Sequence, residues 1–242
     1  MLRTVLHRLL VAIPLALGAS LITFSILYFV PGDTVTVMLG DRANDPVLVA
    51  RLRRELRLDD PFLVRYARFL GGLAQGDFGR SYRTGRPVAA DLAEALPASA
   101  ELAFAGLAVS LLIGLASGLV SGLRPNSLPD HLLMFVALIG VSIPVFWLAL
   151  IVGWLFATPH PEWGYTNPLF SLSGRLGGDY WGYHPRSGFA ILDALWYRDP
   201  YLLLNALRHL ALPALTLGLI GSALIARMTR SSILEVKNHD FI

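Results

Sequence analysis

LAFAGLAVSLLIGLASGLVSGL, residues 102–123, contains no Asp, Glu, Lys or Arg. At 1.5 Å of rise per residue, a helix over this stretch reaches about 33 Å, enough to cross a hydrocarbon core of about 30 Å. Leu9–Pro31, Leu132–Thr158 and Leu210–Ala226 are equally free of charge. Composition agrees, with 55% apolar residues, 15% charged residues and a mean hydropathy of +0.57. These runs predict an all-α integral membrane protein with four transmembrane helices, over 9–31, 98–123, 132–156 and 201–226. The last uncharged run is short, about 25 Å as a helix, so it draws on Tyr201–His209 to complete its crossing.

The first run is expected to be a membrane anchor rather than a cleaved leader. It outlasts a signal h-region and ends in YFVPGD, with no small-x-small cleavage site. An even number of crossings places both termini on one side. That side holds Arg3 and Arg8 in residues 1–8, Arg124 in the short 124–131 connection, and Arg227, Arg230 and Lys237 in the 227–242 tail. Short basic segments set topology and long loops do not, so both termini are expected in the cytoplasm. The net charge of +3 and pI near 9.4 are read as topology charges. The densest arginine cluster, Arg51 to Arg57, falls in an expected external loop, which argues against nucleic acid as a partner. Zero cysteines exclude a thiolate metal site or a disulfide.

The external segment 32–97 predicts two short amphipathic helices. Asp45 caps the first with Pro46 in its first turn, and Leu48, Leu52 and Leu56 share a face. Phe62, Tyr66, Phe69 and Leu70 share a face of the second. Packing of these faces on the protein body is favoured over immersion in the lipid interface. The second external segment, 157–200, is rich in rings: Trp163, Tyr165, Tyr180, Trp181, Tyr183, Phe189, Trp196 and Tyr197. An interfacial aromatic belt is the favoured reading, with a docking surface as the alternative. Pro14, Pro144 and Pro213 invite kinks, and Ser142 and Thr216 are the nearby hydroxyls that could satisfy freed carbonyls. Gly114, Gly118 and Gly122 repeat every four residues, the spacing of close helix packing. Arg208 and His209, in a membrane-flanking helix, are read equally as functional groups or as side chains reaching the interface.

Enzyme chemistry finds no support. The phosphate-cradling loop needs a lysine, and the sole lysine, Lys237, lies between Val236 and Asn238. There is no H-E-x-x-H, and the histidines (7, 131, 160, 184, 209, 239) are scattered. Catalytic and metal sites are therefore not expected.

A set of ordered motifs runs nearly end to end: FVPGD at 29–33, LRLDDPFLVRYARFLGGLAQGDFGRSYRTGRPV at 56–88 and LPASAELA at 96–103. SIPVFWLAL at 142–150, SGFAILDAL at 187–195, HLALPALTLGL at 209–219 and ARMTRSSILEV at 226–236 complete it. In this order they resemble the permease subunits of bacterial binding-protein-dependent ABC importers of the dipeptide, oligopeptide and nickel group. The resemblance implies half of a translocation pathway in the cytoplasmic (inner) membrane. Its partners would be a second homologous permease, two cytoplasmic ATPases that bind ATP, and an external substrate-binding protein; the chain itself would carry no cofactor. Arg227, Arg230 and Glu235 match the family's approach to the ATPase, and Ser142, Pro144 and Phe146 are pathway candidates from the SIPVFW stretch. In the family such a tail leads to a coupling helix and two further spans, absent from this sequence, so a fragment or truncated gene is expected. The SGFAILDAL stretch leans toward peptides as substrate. A non-transporting membrane scaffold, or a permease for nickel or another small solute, are the alternatives.

Overall fold

The computed structural model describes residues 2–29, 34–81, 83–163, 165, 169–171, 174–180 and 185–237. Among these it is helical, with only isolated bridges Arg80–Pro87 and His160–Tyr165 in place of strands. Two compact units divide the chain, Met1–Leu92 and Ala93–Ile242.

In the first unit, α1 (Leu2–Phe29) runs unbroken past Pro14, and its leucines and isoleucines are largely exposed. An apolar surface of this kind is what lipid covers. Short helices α2 (Thr34–Leu39) and α3 (Pro46–Glu55) follow; Asp45 caps α3 by accepting from the Val47 and Leu48 amides. Helix α4 (Phe62–Ala74) lays its aromatic face on α1. Phe24 meets Phe62, Tyr66 and Phe69 at centroid distances of 5.6, 5.4 and 5.6 Å. Tyr66 Oη pairs with Ser20 Oγ at 2.8 Å, and Arg65 lies 5.1 Å over the Tyr28 ring. The apolar face of this helix thus packs on protein, as its spacing favours. GDFGRSYRTGRPV folds into a tight turn: Asp77 accepts from the Gly79 amide, Ser81 N donates to Arg86 O, and Gly79 and Gly85 have φ of +74° and +68°. FVPGD beyond Phe29, and Tyr82, lie outside the described residues.

The second unit is organised around two long helices, α5 (Val88–Leu123, beginning in the first unit) and α9 (Pro200–Lys237). Burial on α5 is inverted relative to a soluble helix. Gly106, Ser110, Gly114, Gly118, Ser121 and Gly122 are buried, whereas Phe104 and Leu112 are 68% and 73% exposed. Lipid tails are as apolar as leucine, so helices in a bilayer associate through small residues that allow backbones to approach. Gly106, Gly114, Gly118 and Gly122 face Leu217, Ile225, Thr229 and Ile233 of α9, at one constant sequence offset. The two helices therefore run parallel. Ser110 Oγ donates to Gly218 O at 3.0 Å within the same seam. The glycine repeat is spent on packing inside the chain.

Between them lie α6 (Leu128–Ser142), α7 (Val145–Ala157) and α8 (Ala190–Tyr197). The third uncharged run is not one rod: α6 and α7 meet at Ile143–Pro144 with a 110° bend. Pro144 cannot donate, and Ile143 takes an extended conformation with φ −85° and ψ 129°, which the residue before a proline prefers. Pro97 and Pro213 lie inside continuous helices. Neither hydroxyl proposed from sequence covers a proline-freed carbonyl. Ser142 Oγ donates to Leu138 O and Thr216 Oγ1 to Leu212 O, each one turn back on its own helix. The carbonyls released by Pro144 and Pro213 are those of Gly140 and His209.

Candidate functional site

Three places in the second unit stand out, two of which join residues far apart in sequence. The first is the end of α9 that carries Lys237. Ser127 caps α6, with Asp130 in the first turn. Arg230 Nε donates to Asp130 Oδ1 at 2.7 Å and Nη2 donates to Oδ2 at 2.8 Å, a two-pronged ion pair. The Asn126 amide adds a third donor to Oδ2 at 2.9 Å. The carboxylate side chain is only 4% exposed and the guanidinium 28%. Breaking such a pair by removing one partner costs about 3–5 kcal/mol, because the other charge is left buried. Nearby, Lys237 Nζ donates to Leu123 O at 3.4 Å.

The second place is the α6–α7 bend. It gathers Ser142, Pro144 and Phe146, all exposed on this chain, with Phe146 at 66%. Both helices of the bend pack on α9.

The third is the Pro200 end of α9. Glu101 accepts from Arg175 Nη2 at 2.7 Å and from the Ile191 and Ala190 amides at 2.7 and 3.3 Å. It thereby ties the segment between α7 and α9 to α5. Asp193 is buried and accepts from the amides of Arg186 and Ser187 and from Ser187 Oγ, which fixes the turn that opens α8. Asn205 Oδ1 accepts from Gly177 N, and Gly188, at φ +82°, passes so close to Pro97 that a Cβ would lie 2.8 Å from its Cγ. A cavity of about 190 Å³ opens here, lined by Glu101, Arg175, His209 and Pro213 among others.

The sequence-named residues fare differently. Of Arg227, Arg230 and Glu235, the first and last are exposed on the final turns of α9, while Arg230 is engaged by Asp130. Arg208 is exposed, and His209 Nδ1 pairs with Asn205 O at 2.9 Å at the edge of the cavity. In the aromatic segment, His160 is buried between Trp154 and Trp163, with Nε2 at 2.7 Å from Trp154 O. Trp181 and Tyr183 of the expected belt lie outside the described residues, as does the tail after Lys237. Asp130, Glu101 and Asp193 were not singled out from sequence. Ser127-Leu128-Pro129-Asp130 is a capping-box pattern that could have found the first. Glu101, an acid beside the uncharged run from Leu102, could have been found as a charge needing a partner at the membrane edge.

No cluster of three or more His, Asp or Glu side chains suited to a metal occurs among the described residues. Comparison with known proteins matches residues 110–242 to the binding-protein-dependent transport system inner membrane component family, and residues 1–103 to its N-terminal domain. The dipeptide transport system permease protein DppB of Alkalihalophilus pseudofirmus is 37% identical over 100% of this chain and 70% of its own length. The di/tripeptide transport system permease protein DppB of Pseudomonas aeruginosa is 39% identical with the same coverage. The probable D,D-dipeptide transport system permease protein DdpB of Escherichia coli is 41% identical over 93% of this chain and 64% of its own length. Matched along its whole length, and built on the seam, bend and ion pairs described above, this chain belongs to the family of inner-membrane components of binding-protein-dependent transport systems.

Proposed function

We propose that the chain is a peptide permease subunit of an ABC importer, forming half of a translocation pathway with a second homologous permease. Two cytoplasmic ATPases drive it, and a soluble binding protein delivers di- or oligopeptides from outside. The observation that carries the transmembrane arrangement is the parallel run of α5 and α9. Two parallel spans require the chain between them to recross the bilayer, and the bent α6–α7 pair is the apolar stretch available to do so. On this reading the pair is one broken span and the chain makes four crossings; the short basic segments holding Arg3, Arg8, Arg124 and Arg227 to Lys237 support a cytoplasmic Lys237 end of α9. Irregular backbone at membrane depth is tolerated where it lines a cavity or is buried in protein. That supports the Ser142–Pro144–Phe146 bend as pathway lining. The protein supplies no bond-breaking group; it converts ATP-driven motion of its partners into alternating exposure of the pathway.

The three relatives named for dipeptide and tripeptide transport support peptides as the substrate class. Uptake of a labelled dipeptide into proteoliposomes holding the assembled transporter tests the reading. ATP-dependent accumulation, displaced by unlabelled peptide and not by nickel, is expected; its absence refutes the assignment. Topology is tested separately. The chain has no cysteine, so Glu162→Cys should react with an impermeant maleimide from outside and Arg227→Cys only from inside.

A further inference from the structure

We infer that Asp130 and Arg230 form a positioning strut that carries motion of the Lys237 end of α9 into the broken span. Three observations converge on it. The pair joins the first turn of α6 to a point on α9 one hundred residues away, through two hydrogen bonds of 2.7 and 2.8 Å. The third donor, Asn126 N, anchors the same carboxylate to the turn joining α5 and α6. Finally, α6 ends directly in the Ile143–Pro144 bend, so its first turn is one end of a lever whose other end is the bend.

Stability alone does not explain charge at this point. A buried ion pair is commonly no more stabilising than a well-packed apolar contact of similar volume. A planar guanidinium fork on a carboxylate does something an apolar contact cannot: it fixes orientation as well as distance. A tilt of the last turns of α9 is then passed to α6, where an apolar seam would slip. Arg230, expected from sequence to approach the ATPase, faces inward to Asp130, leaving Arg227 and Glu235 as the exposed charges of that approach.

This inference rests on the importer reading and deepens it. The test measures substrate transported per ATP hydrolysed in the assembled transporter. Arg230→Lys keeps the charge but loses the fork, and Asp130→Asn keeps the shape but loses the charge. Each is expected to assemble and to move at least threefold less peptide per ATP, while Asp130→Glu stays within twofold of wild type. An unchanged ratio in both Arg230→Lys and Asp130→Asn overturns the strut. Should either fail to assemble, the reciprocal exchange Asp130→Arg with Arg230→Asp is measured. Regained assembly with at least half the wild-type ratio supports the strut, and failure to regain it overturns the strut. If the wild-type transporter itself moves no peptide, it is the importer assignment that fails.

Discussion

Replacing Gly118 by alanine puts the parallel seam to a direct energetic test. In an ordinary helix interior, Gly→Ala is favourable by about 1 kcal/mol. Here a Cβ would lie 2.5 Å from Thr229 Cβ and 2.7 Å from the Ala226 carbonyl oxygen. Carbon contacts sit at about 3.5–4.0 Å, so α5 and α9 would have to separate locally by about 1 Å. The carbonyl belongs to a helix backbone and cannot rotate away. A gap of that size forfeits a quarter to a half of the dispersion energy of the neighbouring contacts. Overpacking of this kind costs about 1–3 kcal/mol, and the backbone obstacle places Gly118 at the upper end, leaving a net destabilisation of about 2 kcal/mol after the propensity gain. The series is graded. Gly114→Ala meets Ile225 Cβ at 2.7 Å and Ser222 O at 2.9 Å, and should follow closely. Gly122→Ala meets Ile233 Cβ at 2.8 Å, which the α9 backbone fixes, and Ile233 Cγ2 and Cδ1 at 2.9 and 3.0 Å, but no carbonyl among its three nearest atoms, so its cost is somewhat smaller. Gly71→Ala meets nothing within 4 Å and should stabilise. Reversible unfolding in mixed micelles reads the order. Thr229→Gly added to Gly118→Ala should recover no more than about half of the loss, because the Ala226 carbonyl remains. Gly118→Ala as stable as Gly71→Ala would refute the seam.

Two serines of the same helix should respond with opposite signs. Ser110→Ala removes the bond to Gly218 O and should cost about 0.6–1 kcal/mol. Ser121→Ala removes the one buried side-chain oxygen without a hydrogen-bond partner among the described residues, and should raise stability by about 0.5–1 kcal/mol in the same unfolding assay. At the opposite end of the seam, Glu101→Ala strands Arg175 and two amides and should cost about 3 kcal/mol, seen as faster protease cleavage within residues 159–189. Glu101→Gln, which keeps an acceptor for the amides, should fall between; cleavage at the wild-type rate in Glu101→Ala would show that the tie is not needed.

What could be read in the sequence divides along a physical line. Charge-free length is a local property, and it found α1, α5 and α9, because a bilayer imposes a minimum length on a span; the third run, read as one span, folds instead as the bent pair α6–α7. The glycine repeat was legible for the same reason, being a period within one helix, though its extension to Gly106 and Ser110 emerged only with α9 beside it. The α4 face could be read from its spacing, and its partners Phe24 and Tyr28 could not. Pairing is a tertiary property. Nothing local marks Asp130 and Arg230 as a pair, or Glu101 as the tie for a segment ninety residues later. Pro144 was legible as a kink, but the proline only permits a turn. Whether it is carried within one helix, like Pro213 inside continuous α9, or breaks the helix at 110° depends on what each half packs against.

The chemistry of the seam and of the strut also explains why both occur in one unit. The α5–α9 contact is made of backbone and of side chains with few rotamers, so it is stiff: close-packed surfaces have discrete arrangements and do not deform continuously. In the proposed importer, a stiff α5–α9 pair is the frame against which another element moves to open the pathway. On that reading the bent pair is the moving part: Pro144 has no N–H to continue the ladder of α6, so a change of angle at Ile143–Pro144 breaks neither helix. A frame and a hinged element still need a connection that determines when the hinge moves. Asp130–Arg230 sits where α6 leaves that frame, at the end opposite the hinge, and its orientation-fixing geometry suits that task better than its contribution to stability does.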